Sequence, residues 1–357
     1  MDTHLTNISV FAEIMGIDGK TLHKWYKEIL SGFNPDGKKI IHSHDVVVKT
    51  GGSLTVLEVP IVCPANIEEH MGIDEKKIGE DFYTIMSNRK TGKIAFCAST
   101  TKYSDLQQAM KPLLPYMEKV RTITRDMAGS YAKLCTELIP NATQIADKFH
   151  VISNLMEAQQ SVRIRYRQKA LEERRKELQL YKEQEKLRME ECEREGKNFT
   201  PKKFYYHEPT FSNGDTVREL LARSHFLLYK FPHQWSVKQT IRAKILFENY
   251  PEIQKVYALS CQFRKWYARE NIGKHSLQIE KELFQWYEDV DDANIEEMMN
   301  FKSLVESHED VIINYFQNGD TNAMAENLNG RINKLITNNY GVRNIDFFFF
   351  RMKNFFT

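Results

Sequence analysis

The sequence contains few cysteines, and no two of them form a closely spaced pair. Five cysteines are scattered through the 357 residues, and no Cys-x-x-Cys motif occurs: Cys63, Cys97, Cys135, Cys192 and Cys261. A zinc ribbon needs such pairs and is therefore excluded. Scattered cysteines fit a reducing compartment best, so we predict a cytoplasmic protein.

Long hydrophobic runs are also absent. The chain has no stretch of about 18 apolar residues, the length that a membrane-spanning helix requires. The first residues, MDTHLTNISVFAE, lack the basic and apolar segments of a secretory signal. The sequence therefore predicts neither a membrane span nor a secretory leader.

Several common catalytic signatures do not occur. Without GxxxxGKS/T or GxGxxG, the sequence gives no support to a phosphate-loop or dinucleotide-binding protein. Without HExxH or GxSxG, it supports neither a zinc peptidase nor a serine hydrolase of the α/β class.

Neither sign of charge predominates over the whole chain. Lys and Arg number 50 against 48 Asp and Glu, which gives a net charge of +2. Hydrophobic residues make up 41%, with 21 Phe and 16 Tyr, so a chain of this length can bury two or three cores. Any basic surface must therefore be sought segment by segment.

Residues 1–36 form a candidate DNA-binding segment. Apolar residues at helical spacing predict two short helices over 9–31, and the second would turn four residues inward: Leu22, Trp25, Tyr26 and Ile29. The spacing matches a helix-turn-helix, whose second helix would turn four other residues toward the DNA major groove: Lys20, Thr21, His23 and Lys24. The alternative is a plain helical hairpin, which the segment's three lysines against five acidic residues favour.

Residues 37–69 are predicted to be a linker or a short β-hairpin, and residues 70–155 a mixed α/β region. Five strands are predicted there, at Met71–Asp74, Phe82–Ser87, Ile94–Ala98, Val120–Thr124 and Thr143–Ala146. Helices are predicted at 104–118 and 128–138. Three antiparallel strands followed by alternating helices and strands is the order of the ribonuclease H-like fold, although several mixed folds share it.

Residues 156–310 are predicted to be almost entirely helical. A basic cluster opens this block: Arg163, Arg165, Arg167 and Lys169. It either contacts DNA or forms a solvated helix face. Aromatic residues at helical spacing over 231–290 favour a packed core over base-stacking platforms.

The last segment, 311–357, contains one amphipathic helix at 321–337. Leu328, Ile332 and Leu335 share its apolar face. Glu326, Asn329 and Asn333 share a polar face, which is either ordinary surface or part of a site built against the sheet.

Acidic residues follow three of the predicted strands, at Asp74, Asp126 and Asp147. An isolated acid at such a position is commonly solvated or caps a helix. Two aspartates on neighbouring strands with a glutamate from a helix would repel one another, and a divalent cation relieves that repulsion. Two such ions about 4 Å apart can drive phosphodiester chemistry.

Four segments resemble the ISL-three family of bacterial insertion-sequence transposases: MGIDEKK, TRDMAGSYAKL, ADKFHVISNLMEAQQSVR and AENLNGRINKLITNNYGVRN. The resemblance runs from about residue 70 to residue 352. It implies an α/β protein with a ribonuclease H-like mixed sheet over 70–155 and an all-α insertion over 156–310. The final helix of the catalytic core would then lie within 311–357.

The resemblance also implies a DDE active site. Asp74, Asp126 and Glu326 would be the catalytic residues and the ligands of two Mg²⁺ (or Mn²⁺) ions. Asp147 and His150 lie in the family's DxFH stretch and are candidate accessory residues.

The implied partner is double-stranded DNA, both the terminal inverted repeats and the target, bound by a homodimer near the bacterial nucleoid. Arg331, Lys334 and Arg343 flank Glu326 and are candidate DNA contacts. Family members usually carry a cysteine-bearing zinc-binding segment ahead of the core, and this chain has no such cysteines. The resemblance therefore leaves a separately encoded N-terminal DNA-binding polypeptide as a further expected partner.

The predicted function is metal-dependent phosphodiester hydrolysis and strand transfer at transposon ends. Two alternatives stay open at this point. One is an inactive or domesticated relative that binds DNA without cutting it. The other is a ribonuclease H-like nuclease that cleaves DNA without joining it.

Overall fold

The computed structural model describes residues 7–33, 40–50, 53–206, 208–318, 323–339 and 341–357. The side chains at positions 50, 53, 318, 323, 325 and 326 are not described, and the predicted boundary between residues 36 and 37 also lies outside the described residues. The chain divides into two compact units. The sheet unit comprises Met1–His150 and His308–Thr357, and the helical unit comprises Val151–Ser307.

Two short helices open the described chain, α1 (Ile8–Met15) and α2 (Gly19–Trp25), and a π-helical turn, Tyr26–Leu30, follows. Gly16 ends α1 with a φ of +64°, in the left-handed region that glycine adopts without strain. Asp18 is the N-cap of α2, and its carboxylate accepts a hydrogen bond from the backbone N–H of Thr21.

The predicted buried face of this helical pair is confirmed for two of its four residues. Leu22 and Tyr26 are buried, and they pack with Phe347 near the C-terminus. Trp25 and Ile29, which were also expected to face inward, are 45% and 70% exposed. The π-helical turn after Trp25 changes the angular spacing of the residues, so a strict helical period places Ile29 on the wrong side.

The segment expected to be a linker or hairpin contains two antiparallel strands, β1 (Val46–Thr50) and β2 (Ser53–Leu57), which form a sheet of their own.

A six-stranded mixed sheet forms the centre of the sheet unit. Its strands are β3 (Ile61–Val62), β4 (His70–Ile78), β5 (Asp81–Asn88), β6 (Ile94–Ala98), β7 (Thr122–Arg125) and β8 (Thr143–Ala146). They are arranged in the order β3-β6-β5-β4-β7-β8. The first four pair antiparallel, whereas β4, β7 and β8 are parallel. The mixed α/β prediction is therefore confirmed, and β3 is an added edge strand that was not predicted.

Helices between the strands cover one face of this sheet. They are α3 (Tyr103–Ala109), a 3-10 turn (Lys111–Leu113), α4 (Leu114–Met117) and α5 (Gly129–Leu138). The single helix expected over 104–118 is thus broken. Pro112 and Pro115 explain the break, because proline lacks the N–H that would continue the helix.

The remaining helices are α6 (Lys148–Arg194), α7 (Val217–Arg223), α8 (His225–Leu228), α9 (Val237–Asn249), α10 (Pro251–Trp266), α11 (Ser276–Ala293), α12 (Glu296–Ser307), α13 (Glu309–Asn318), α14 (Ala323–Asn338) and α15 (Ile345–Phe356). In the helical unit, Phe263, Trp266 and Trp286 are buried, and the ring of Phe263 contacts the rings of both tryptophans. These aromatic residues form a core, as predicted.

The second face of the sheet is covered by α14 and α15. Leu328, Ile332 and Leu335 of α14 are buried against Ile85 and its neighbours, which confirms the predicted apolar face. This packing holds α14 against the strands around β4, the strand that contains Asp74. Within the described part of the chain, no helix is both long enough and apolar enough to cross a bilayer.

Candidate active site

Three aspartates form a row across three neighbouring strands. The parallel register places Arg125 of β7 between Ile73 of β4 and Ala146 of β8. The residue that follows each of these is an aspartate: Asp74, Asp126 and Asp147. Paired strands lie about 4.8 Å apart, so consecutive members of the row are close neighbours. The predicted adjacency of the strands bearing Asp74 and Asp126 is confirmed.

Asp74 is held by groups from three parts of the sheet unit. Its Oδ2 accepts a hydrogen bond of 2.8 Å from Nδ2 of Asn329 on α14. Its Oδ1 accepts one of 2.8 Å from the backbone N–H of Glu75 and lies 3.6 Å from Nε2 of His150. Burial alone would raise the pKa of Asp74, but the hydrogen bonds from His150 and Asn329 outweigh it and hold that pKa below its usual range. Asp74 is therefore ionised at neutral pH.

His150 lies between two members of the row. Its Nε2 is 3.6 Å from Oδ1 of Asp74 and 3.7 Å from Oδ2 of Asp147. The hydrogen bond to Asp74 raises the pKa of His150 to about 9 against the opposing effect of burial, with further contributions from the charges of Asp126 and Asp147. His150 is an imidazolium at neutral pH, so this position favours positive charge.

Asp147 takes part in two kinds of contact. Its Oδ1 accepts a 3.0 Å hydrogen bond from the backbone N–H of Phe149, which caps the first turn of α6. Its Oδ2 faces His150. The capping interpretation and the accessory interpretation are thus both compatible with its position.

Asp126 begins the loop after β7, and its Oδ1 accepts a hydrogen bond from the backbone N–H of Met127. The buried Arg125 side chain fixes this turn, because it donates 2.8 Å to the Asp126 carbonyl oxygen and 2.7 Å to Oε1 of Gln144. The backbone direction at Asp126 is therefore set from both sides.

Two further titratable groups lie near the row and were not predicted. Burial raises the pKa of Glu75, and the charges of Asp126 and Asp74 add to that effect. Burial lowers the pKa of His308, as does the charge of Arg125, while Asp126 opposes both. Glu75 directly follows Asp74, so its position in the strand could have identified it. No local sequence pattern connects His308 to these strands.

The predicted glutamate, Glu326, belongs to α14, but its side chain lies outside the described residues. Asn329 follows it by one helical turn and contacts Asp74. The polar face predicted for this helix therefore does reach the sheet at Asn329, whereas Asn333 is exposed.

The donor chemistry of the row suits a hard divalent cation, because Mg²⁺ prefers carboxylate oxygens. Among the described side chains, no three His, Cys, Asp or Glu residues are close enough together to hold a metal ion. Asp74 and Asp126 are the described carboxylates of the predicted ligand set, and the third predicted ligand, the Glu326 side chain, lies outside the described residues.

The basic cluster predicted to contact DNA is divided by the structure. Arg163 is only 6% exposed and donates hydrogen bonds of 2.8 Å to the Leu221 carbonyl and 2.6 Å to Oε1 of Gln160. A buried guanidinium cannot reach a phosphate, so the prediction for Arg163 is wrong.

The other members of this cluster remain exposed. Arg165 binds the carboxylates of Glu252 and Glu297 at 2.5 and 3.0 Å, which compensates its charge. Arg167 and Lys169 are exposed on α6. These two are the better candidates for DNA contacts in the helical unit.

The cations near the C-terminus occupy different surroundings. Arg331 lies over the ring of Phe356 at 4.8 Å, and Lys334 and Arg343 are exposed. In α2, Lys20 and Lys24 are exposed, whereas the hydroxyl of Thr21 donates to the Asp18 carboxylate.

Comparison with known proteins gives one match. A family model described as transposase matches residues 71–352, which is more than half of the chain. No curated protein and no solved structure matches significantly.

Proposed function

This chain belongs to the ISL-three family of transposases, and we propose that it cleaves and joins DNA strands at transposon ends, using Asp74, Asp126 and Glu326. The observation that carries this proposal is the register of the parallel strands. It aligns Asp74 with Asp126, and Asn329 links Asp74 to the helix that carries Glu326.

The strand arrangement supports a ribonuclease H-like core. Three consecutive antiparallel strands, β4, β5 and β6, are followed by β7 and β8, which are parallel to β4 and preceded by helices. In this arrangement β4, β7 and β8 run in the same direction, and their register brings Asp74, inside β4, level with the two acids that follow β7 and β8.

Asp74, Asp126 and Glu326 would hold two Mg²⁺ ions. When bound, such ions activate the attacking water or 3′-hydroxyl and stabilise the leaving oxygen of the phosphodiester. Asn329 and the backbone N–H of Glu75 orient the Asp74 carboxylate and keep it ionised. His150 offsets the negative charge that Asp74 and Asp147 bring together, which makes both His150 and Asp147 accessory residues.

The substrate in this proposal is double-stranded DNA, bound by a homodimer that brings two ends together. Arg331 and Lys334 lie on the same helix as Glu326, and Arg167 and Lys169 are exposed on α6. A surface rich in carboxylates would repel a polyanion unless cations of the same unit, such as Arg331 and Lys334, offset its charge.

The test is a cleavage and joining assay on DNA carrying the element's ends, in Mg²⁺, with the unaltered chain and Asp126→Asn. We expect the variant to lose both products while its circular dichroism and melting temperature stay unchanged. Asp81→Asn, an exposed acid at the start of β5, is the matched control and should retain activity. Cleavage by Asp126→Asn would contradict the assignment.

A DNA-binding protein without catalytic activity is the second candidate. It is favoured by one observation: an imidazolium already offsets two carboxylates of the row, and the described side chains do not complete a metal site. The same assay separates the candidates. Binding without nicked product supports this alternative, whereas nicked product without joined product supports a nuclease.

A further inference from the structure

A series of hydrogen bonds leads away from Asp126 on the side of the sheet where α5 packs. Arg125 donates through Nη1 to the Asp126 carbonyl oxygen at 2.8 Å and through Nε to Oε1 of Gln144 at 2.7 Å. Nε2 of Gln144 donates in turn to the hydroxyl of Thr136 at 3.0 Å, and that hydroxyl donates to the Ala132 carbonyl oxygen at 2.9 Å. One glutamine side chain therefore connects β7, β8 and α5.

The backbone of Gln144 is fixed as well as its side chain. Gln144 lies on β8 in register with Ile123 of β7, and its carbonyl oxygen accepts a 3.0 Å hydrogen bond from Nδ2 of Asn314 on α13. A side-chain amide offers an acceptor and a donor at one end, so it can accept from Arg125 and donate to Thr136 at the same time. Gln144 is therefore a fixed point against which Arg125 is held.

The guanidinium of Arg125 is buried, since only 4% of the residue is exposed. Burial of a charge costs free energy unless hydrogen bonds compensate it, and here the carbonyl of Asp126 and the amide of Gln144 supply two of them. A guanidinium is planar and its donors form a rigid fork, so it holds its acceptors in fixed directions. Arg125 therefore couples the position of the Asp126 backbone to that of Gln144.

Gln144 acts on the row of aspartates from a distance. It precedes Asp147 by three residues, so it lies about 10 Å along the strand from the level of the row. Its side-chain amide is engaged by Arg125 and Thr136. The effect of Gln144 on Asp126 therefore passes through Arg125.

We propose that Gln144 is a positioning residue for strand cleavage. It fixes Arg125, which fixes the carbonyl group of Asp126 and thereby the direction in which the Asp126 side chain leaves the backbone. The inference rests on the proposed function and specifies how one of its carboxylates is oriented. Outer contacts that orient a metal-binding carboxylate are worth about 10- to 100-fold in activity. A small displacement suffices, because a misplacement of about 1 Å can cost about 100-fold in rate.

The first measurement is amide hydrogen exchange of the full chain without DNA or metal, followed on the loop of residues 126–128. Gln144→Leu removes the acceptor of Arg125, so we expect this loop to exchange about tenfold faster or more. Gln144→Glu keeps an acceptor oxygen for Arg125, and the Thr136 hydroxyl can donate to the new carboxylate. Exchange in Gln144→Glu should therefore match that of the unaltered chain.

The second measurement is single-turnover cleavage of a DNA end in Mg²⁺, together with the affinity for the same duplex. We expect Gln144→Leu to lower the cleavage rate about 10- to 100-fold while the affinity stays unchanged, because only the orientation of Asp126 is altered. Gln144→Glu should restore the rate. A glutamine that only supports the fold would not produce this separation of rate from affinity.

The matched control is Gln107→Leu on α3, the same substitution at a half-buried glutamine whose side chain donates to Glu137 at 3.1 Å. It should leave both measurements unchanged. Thr136→Val removes only the outer partner of Gln144, so it should change both measurements in the same direction by a smaller amount. Thr136→Val takes the place of Gln144→Leu if the latter does not fold.

Loop exchange and cleavage must change together for the proposal to hold. If either is unchanged in Gln144→Leu, or if Gln144→Glu is as impaired as Gln144→Leu, the proposal is overturned and the proposed function stands. If the unaltered chain cleaves no DNA, the proposed function fails. The exchange measurement then decides by itself whether Gln144 orders the backbone at Asp126.

Discussion

Carboxylates have opposite surroundings in the two units of this protein. In the sheet unit, Asp74, Asp126 and Asp147 follow one another across the strands. Burial raises the pKa of Glu75, and the charges of Asp126 and Asp74 raise it further. In the helical unit, Asp215, Glu252 and Glu297 each have an arginine at hydrogen-bond distance. The same side-chain type thus concentrates negative charge in one unit and is neutralised in the other.

Asp215 shows the second situation most clearly. It is 2% exposed, binds Nε of Arg242 at 2.8 Å and also accepts from Arg223. Burial alone would raise its pKa, but the two arginines outweigh burial and lower it. Such a carboxylate stabilises the fold. A row of carboxylates without matching arginines costs stability and is retained where a cation or a polyanionic substrate uses it.

The largest expected effect separates activity from stability at the row. Asp74→Asn should reduce strand cleavage by about a thousandfold or more, because an uncharged ligand forfeits several kcal/mol of metal-dependent stabilisation. The protein should remain folded, with only a modest loss in the free energy of unfolding, since the amide can still accept from Asn329 and Asp147 still faces His150. Single-turnover cleavage and urea titration measure the two quantities. If the variant unfolds instead, Asp74 is required for the stability of the fold, and the loss of cleavage says nothing about catalysis.

The next largest effect is the reverse case in the helical unit. Asp215→Asn should lower the free energy of unfolding by about 2–3 kcal/mol, because it leaves Arg242 without its counter-charge. Urea titration at pH 7 measures this loss, and Asp292→Asn, an exposed acid at the end of α11, is the matched control. Unchanged stability would show that the arginine-bound carboxylate Asp215 does not stabilise the helical unit, contrary to the comparison drawn above.

Asp215 also predicts a pH dependence. Its pKa is lowered in the folded chain, so its contribution is present above the ordinary aspartate value of 3.8 and is lost as pH falls through the folded value. The difference in stability between the unaltered chain and Asp215→Asn should therefore shrink below about pH 4. Denaturation at a series of pH values measures it, and a constant difference would contradict the assigned ion pairs.

A smaller effect tests the row as a cation site. Adding 10 mM MgCl₂ should stabilise the unaltered chain by about 1 kcal/mol if the ion binds in the millimolar range. Asp74→Asn/Asp126→Asn should show no such gain, whereas Asp215→Asn should keep it. Thermal melts with and without MgCl₂ measure the change. An equal gain in all three proteins would indicate a non-specific salt effect.

The smallest effect concerns an exposed ion pair. The Arg165 side chain is 50% exposed where it binds Glu252 and Glu297, so Arg165→Met should cost less than about 1 kcal/mol. That small cost should disappear in 0.5 M NaCl, because salt screens exposed charges. Urea titration at two salt concentrations measures it. A large, salt-independent loss would show that this pair supports the core.

Local sequence patterns predicted the elements that position the site. Leu328, Ile332 and Leu335 predicted which face of α14 packs on the sheet, and that face is buried. The strand that ends at Ala146 was predicted with its observed bounds, and Asp126 and Asp147 follow their strands as predicted. Asp74 instead lies inside β4, which continues to Ile78 beyond its predicted end. These features depend on neighbours within one or two turns, so periodicity alone specifies them.

Long-range partners were beyond such patterns. Asn329 and Asp74 are 255 positions apart, and nothing in either segment specifies the other. Arg163 has the sequence context of a surface cluster, yet packing buries it against Leu221. The outward position of Ile29 depends on a π-helical turn, which no regular period predicts.

The sequence by itself determined that this chain has a mixed sheet, acids on neighbouring strands or directly after them, and an amphipathic helix that packs on the sheet. Only the tertiary structure decided that His150 lies between Asp74 and Asp147, that Asn329 reaches Asp74, and that Gln144 accepts a hydrogen bond from Arg125. Secondary structure follows from interactions between near neighbours, which the sequence displays directly. Contacts between side chains distant in sequence depend on how the finished elements pack, and that arrangement exists only in the folded chain.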